Sequence, residues 1–151
     1  MTVIVRLTAV AHPWFGDVVD LFDDYRQYYG ANPAPEAVAA WLRDQVVADR
    51  ERVYAAGDTA RAYGICSVVV MPAALTLRTV WFVRDLFVAE PMRRHGVAGD
   101  LLAQVADEAR AAGAHRLALQ TDTANVRAIN LYAKCGFGAL TDVTLMDRVL
   151  P

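Results

Sequence analysis

Asp85-Leu-Phe-Val-Ala-Glu-Pro-Met-Arg-Arg-His-Gly-Val-Ala-Gly99 is the stretch on which the reading of this 151-residue chain turns. It opens as an apolar, strand-like run, breaks at Pro91, and crowds three basic side chains at Arg93, Arg94 and His95. A helical pattern begins at Gly96 and runs to Ala112, with Val97, Leu101, Val105 and Ala109 on one face. Gly113 follows where a left-handed residue is expected to end the helix. The first turn of a helix carries N–H groups without intrahelical partners and the positive end of the dipole, so this junction suits an anion such as phosphate. Gly96 lets the backbone approach that anion closely, and the small Ala98 leaves space beside it. The plainer alternative is a solvated basic loop ahead of a helix. A P-loop is excluded because no Gly-Lys-Ser/Thr occurs, and the glycine spacing does not match the dinucleotide fingerprint.

Working outward, Thr79 to Val88 reads as the strand before this loop and Arg116 to Thr121 as the strand after the helix. That strand–helix–strand unit over 79–121 implies a parallel pair in a mixed sheet. Upstream, Arg52–Ala56 and Ala62–Val70 form two antiparallel strands joined by a turn at Gly57-Asp58. Val3–Leu7 is a short β-branched strand. Two helices lie between. One is opened by His12-Pro13 and carries the stripe Trp14, Val18, Leu21, Phe22, Tyr25, Tyr29; Gly30 to Pro35 stops it. The other carries Val38, Trp41, Leu42 and Val46. Thr123–Lys134 reads as a short helix, and Phe137–Arg148 as one or two closing strands. The fold class is α/β (α+β), a mixed and mostly antiparallel sheet flanked by helices in a single domain, 1–151.

Composition narrows the partners. Apolar residues make up 56% and charged residues 21%, which fits a folded globular chain and excludes a disordered tail. A net charge of −2 offers no whole-protein field for nucleic acid or an anionic membrane. Of the 15 basic side chains only Lys134 is lysine, a bias that fits a GC-rich bacterial genome. The uncharged run Ala62–Leu77 has 16 residues, short of the roughly 20 needed to span a bilayer, and Gly64 and Pro72 interrupt it. Met1 to Arg6 lacks the pattern of a secretory signal, so a cytoplasmic protein is expected. Cys66 and Cys135 are too few for a disulfide scaffold and match no zinc spacing, and His12 and His115 lack partners at metal-ligand spacing, so no metal is expected.

Arg93-Arg-His-Gly96-Val-Ala98 resembles the Arg/Gln-x-x-Gly-x-Gly/Ala loop of the GCN5-related N-acetyltransferases (GNAT superfamily). Asn125-Val-Arg-Ala-Ile-Asn-Leu-Tyr132-Ala-Lys-Cys-Gly136-Phe137 resembles that family's Asn-x-x-Ala-x-x-Leu/Phe-Tyr-x-x-x-Gly-Phe ending. The likeness covers about residues 50 to 148; the first 50 fit only as the family's variable strand and helix pair. It implies a sheet splayed between its fourth and fifth strands, with acetyl-CoA wedged in the gap as co-substrate. It further implies direct transfer of the acetyl group to a primary amine, an acyltransferase activity of the EC 2.3.1 type. By resemblance, Arg93, Arg94, His95, Gly96, Val97, Ala98 and Gly99 hold the pyrophosphate, and Leu86, Phe87 and Val88 pair with the pantetheine arm.

The same likeness makes Tyr132 the proton donor to the departing thiolate and Asn125 a cofactor contact. From the residues alone, the alternatives are a core tyrosine for Tyr132 and a helix cap for Asn125. The glutamate that serves some family members as general base falls here at or near Phe82, which cannot act as one. The nearest carboxylate is Asp85, either base or structural hydrogen-bonding group, and alternation puts it on the opposite face from Arg84 unless a bulge intervenes. For the acceptor, Tyr28 and Trp81 are the substrate candidates, since aromatic faces hold alkylammonium groups. Asp23 and Asp24 either attract a cation or form a solvated helix face. A small amine or amino acid is the expected acceptor; the alternatives are a lysine on a peptide or protein, and a non-catalytic acyl-CoA-binding regulatory module. Pairing of C-terminal strands between subunits is common in the family, so the resemblance also points to a homodimer.

Overall fold

A computed structural model describes residues 1–151, and its strands and helices follow the periodicities of the chain with instructive exceptions. Residues 1–120 and 121–151 form two compact units. The first holds β1 (Val3–Leu7), α1 (Phe15–Tyr28), α2 (Pro35–Ala48), β2 (Arg52–Gly57), β3 (Ala62–Ala73), β4 (Arg78–Val88), a single 3-10 turn at Glu90–Met92, α3 (Val97–Ala111) and β5 (Arg116–Leu119). Its five strands lie in chain order, antiparallel from β1 to β4, with β5 parallel to β4. The β4–α3–β5 connection is the parallel crossover read from 79–121.

Strand register sorts the sheet into two faces. Val53, Ala55 and Ile65 pack with Phe15, Val18, Leu21 and Phe22 of α1 and Val38, Leu42 and Val46 of α2. Gly64 lies on the other face, where an added Cβ would sit 3.0 Å from Val97 Cγ1 and 3.3 Å from Leu101 Cδ1 of α3. That contact seats the first turn of α3 on the sheet, and it is this turn that carries the helix's unpaired N–H groups. The carboxylate of Asp23, 6% exposed, ties α1 to α2 by accepting from Arg26 Nη1 at 3.0 Å, Gln27 Nε2 at 3.2 Å and Ala34 N at 3.0 Å. Asp23 is therefore a structural joint, not a cation-attracting group.

β3 continues three residues past the expected Val70, through Pro72. A proline is tolerated there because β2 ends opposite Val68, so the outer side of β3 has no ladder needing an N–H from residue 72. The second unit holds α4 (Val126–Lys134) and no strand. The closing strands expected over 137–148 are absent: Leu140, Val143, Leu145 and Met146 are all more than half exposed. A strand needs a neighbouring edge to satisfy its backbone groups, and nothing within 121–151 supplies one.

Candidate acetyl-transfer site

Pairing between β4 and β5 runs from Val80–Arg116 to Val83–Leu119 and stops there. β4 continues five residues to Val88, and no strand pairs with it on that side. Backbone N–H and C=O groups along this free edge are available to an extended ligand, apart from Val88 O, which accepts from Arg93 Nε. A bulge lies where the strands part: Ser67 opposes Asp85, while Val68 opposes Val83, leaving Arg84 as the extra residue. The bulge brings Asp85 onto the same face as Phe82, Phe87 and Ser67, the face covered by α1 and α2. It also lets the Arg84 guanidinium sit 5.7 Å from the Phe82 ring centre, so Arg84 and Asp85 act on one side of the sheet.

The loop beyond β4 has the geometry of an anion cradle. Arg94 (φ 65) and Gly96 (φ 81) are both left-handed, which gathers successive N–H groups into a concavity. No side chain caps α3, whose first bond is Asp100 N to Gly96 O at 2.9 Å, and a Cβ at Gly96 would meet nothing within 4 Å. Val97 is buried on the sheet, Ala98 and Gly99 are half-buried, and Arg94 and His95 are exposed. The His95 ring is tethered to Arg93 O at 2.8 Å. Arg93 turns the other way: its Nε donates to Val88 O at 2.9 Å, and its guanidinium lies 5.3 Å from the Phe87 ring centre and 5.6 Å from that of Tyr28. Its side chain braces the wall of a neighbouring cavity instead of facing the helix terminus.

That cavity, about 720 Å³, lies between α1, the start of β3 and the end of β4. Asp17, Asp20, Asp24 and Tyr28 line it from one face of α1, with Phe87, Glu90 and Arg93 opposite. Partial burial, followed by the charges of Asp20 and Asp23, raises the Asp24 carboxyl above its ordinary range. Phe87 is two residues from Asp85 on the same side of β4, about 7 Å along the strand. Tyr28 thus belongs to a wall of aromatic faces and carboxylates.

Trp81 does not. It is 1% exposed, on the α3 face of the sheet, with the Arg52 guanidinium 4.5 Å from its ring centre. A ring so enclosed has no surface to offer an acceptor, and the alternation of β4 puts it on the opposite side from Asp85. Leu86 and Val88 also face the α3 side.

Comparison with known proteins fits this geometry. Residues 18–137 match the acetyltransferase (GNAT) family model. The chain belongs to the GNAT acetyltransferase family. This N-acetyltransferase is 26% identical over 120 residues to YhfO, an uncharacterised N-acetyltransferase of Bacillus subtilis, covering 80% of each chain. It is 37% identical over 71 residues to the aminoglycoside N(6′)-acetyltransferase type 1 of Serratia marcescens, covering 47% of this chain and 49% of that one. A crystal structure of a probable acetyltransferase superposes with a TM-score of 0.90 at 27% identity, over 99% of this chain and 98% of the other.

The second unit carries the remaining sequence candidates. Asn125 caps α4, its Oδ1 accepting from Ala128 N at 3.2 Å. Tyr132 is half-buried on α4, with its ring edge-on to Phe137 at 6.0 Å.

Two polar residues near Asp85 escaped the sequence reading. Ser67, fully buried, donates a short hydrogen bond to Asp85 Oδ2, and Glu51 holds a buried carboxylate oxygen, Oε2, with no hydrogen-bond partner. Nothing in the sequence marks them, because only register brings residues 51, 67 and 85 together. The acidic face of α1 was also missed, although Asp17, Asp20 and Asp24 recur at helical spacing; of these only Asp24 was singled out.

Proposed function

We propose that this acetyltransferase uses acetyl-CoA as donor and passes its acetyl group directly to a primary amine on a small, multiply cationic molecule. The observation that carries the reading is the adjacency, within residues 1–120, of an anion cradle, an unpaired strand edge and an acidic, aromatic cavity. The cradle N–H groups from Arg94 to Gly99 suit a pyrophosphate, and the edge of β4 from Arg84 to Val88 suits the amides of a pantetheine arm. Bound acetyl-CoA supplies an activated acyl carbon. Four carboxylates with the rings of Tyr28 and Phe87 suit an acceptor bearing several ammonium groups. The likeness to an aminoglycoside acetyltransferase supports the same choice.

An alkylammonium has a pKa near 10.4, so about one molecule in a thousand is neutral near pH 7. Asp85, on the acceptor side of β4, is the group proposed to take the ammonium proton; Tyr132 is proposed to donate one to the departing sulfur. We propose a single N-acetyltransferase domain over residues 1–151, located in the cytoplasm. No helix is long and apolar enough to cross a membrane.

The test is thiol release from acetyl-CoA with aminoglycosides, linear polyamines, amino acids and lysine peptides. Turnover confined to the multiply charged small amines is the expected result. Preference for peptides would overturn the acceptor assignment, and absence of turnover with every amine would overturn the whole reading. Tyr132→Phe should lower kcat by at least about tenfold while leaving acetyl-CoA affinity unchanged.

A further inference from the structure

Two polar side chains, Ser67 and Asp85, oppose each other on adjacent strands on the α1/α2 face of the sheet, and a third, Glu51, stands just ahead of β2. Val53 opposes Ser67 and Ser67 opposes Asp85, so Val53, Ser67 and Asp85 share one face. Glu51 stands immediately ahead of β2 and close to this pair, since the Asp85 charge and the Ser67 hydroxyl both act on its carboxyl. Ser67 is wholly buried and commits its hydroxyl proton to Asp85 Oδ2. That leaves Glu51 Oε2 buried without a partner, a costly arrangement for an ionised carboxylate. Burial, and next the charge of Asp85, push the Glu51 carboxyl up; Arg84 and Ser67 pull it down, and the upward pull prevails. The charged groups acting on Glu51 are thus Asp85 and Arg84, both from β4.

We infer that Glu51 is the far end of a proton path from the acceptor amine, running through Asp85 and Ser67. This rests on the acetyl-transfer reading above. The acceptor ammonium gives its proton to Asp85, leaving the nitrogen lone pair free. The N–C bond forms, the C–S bond breaks, and the electron pair leaves on sulfur, which takes a proton from Tyr132; the second proton, shed by the nitrogen as it becomes an amide, restores the Tyr132 phenol. Exchange of the two Asp85 oxygens presents the captured proton to Ser67 Oγ, while the Ser67 hydroxyl proton passes to Glu51. Asp85 and Ser67 end as they began, and Glu51, half-buried, carries one proton that solvent removes. Nothing is oxidised or reduced. Glu51 acts through Asp85 and never touches the acceptor, so it is a positioning residue for the proton.

The test has two arms. In the first, kcat and KM are measured for wild type, Glu51→Gln and Ser67→Ala with a series of primary amines whose ammonium pKa falls from about 10 to about 7. Both variants should lose at least about tenfold in kcat on the most basic amine, with acceptor KM unchanged, and recover as the amine pKa falls. A deficit equal across the series, as a structural defect gives, overturns the path, as does no deficit. In the second arm, carboxyl NMR of the ligand-free protein follows the titration of Glu51, which should move to lower pH in Asp85→Asn. An unmoved titration overturns the coupling. This arm needs no turnover, so failure of the acetyl-transfer reading and failure of the Glu51 path are told apart.

Discussion

Gly64→Ala adds one methyl group where β3 meets the first turn of α3, and its consequences follow from three contacts. The new Cβ would lie 3.0 Å from Val97 Cγ1, 3.3 Å from Leu101 Cδ1 and 3.5 Å from Ala56 Cβ. Val97 and Leu101 are 2% and 0% exposed, so neither has an empty place to rotate into, and relief requires α3 to lift. Overpacking of this kind costs about 1–3 kcal/mol. Restricting the unfolded chain by replacing glycine returns about 0.4–1 kcal/mol. The net expectation is a loss of about 1–2 kcal/mol, which for about 150 residues lowers Tm by about 2–8 °C. The displaced turn also carries the N–H groups that face the anion cradle. Losing one charge-assisted hydrogen bond there, about 1.5 kcal/mol, weakens acetyl-CoA binding about tenfold. Thermal unfolding and titration calorimetry measure the two effects, with Gly138→Ala as control, because a Cβ there meets nothing within 4 Å. A Gly64→Ala protein that melts and binds acetyl-CoA like wild type would refute the argument that this glycine seats the cradle.

Three further outcomes are expected. Gly96→Val forces a β-branched residue to φ 81 at the start of α3, and should raise the Kd for acetyl-CoA by at least about tenfold while circular dichroism stays unchanged; equal affinity would remove the cradle from the site. Asp23→Asn keeps the side-chain volume but replaces one of the two acceptor oxygens serving Arg26, Gln27 and Ala34, and should cost about 2–3 kcal/mol in denaturant unfolding. Tyr54, wholly buried and donating to Glu108 Oε2 at 2.6 Å, has its phenol pushed up by burial and then by that hydrogen bond. Above about pH 10 the unfolded chain releases this proton and the native chain keeps it, so Tyr54 alone should cost about 1.4 kcal/mol of stability per pH unit there. Tyr54→Phe should flatten that alkaline slope, and an unchanged slope would show that the phenol ionises equally in both states.

Local pattern determined a good deal. The apolar stripes on α1, α2 and α3, the β-branched runs of β2 to β4, and the glycine at the head of α3 are short-range signals, set by side-chain periodicity and by the φ angles each residue tolerates. From them came the mixed sheet, the crossover at 79–121 and the anion cradle. The residue spacing around Gly96 and Tyr132 then pointed to the family by resemblance. Where the chain departs from these readings, long-range register is the cause. Alternation alone could not tell on which face Asp85 lies, because that depends on whether Arg84 is a bulge, and a bulge exists only relative to a partner strand. The same register buries Trp81 beneath α3 and sets Ser67 opposite Asp85, with Glu51 beside them just ahead of β2. The closing strands expected after Phe137 fail for the converse reason: β-branched residues favour an extended chain, but a strand is completed only by a neighbour's backbone. Sequence by itself determined the helices, the five strands up to residue 119 and the family to which the chain belongs; tertiary structure alone decided which side chains meet and which extended segments pair, because contacts between distant residues follow from strand pairing and packing and not from local spacing.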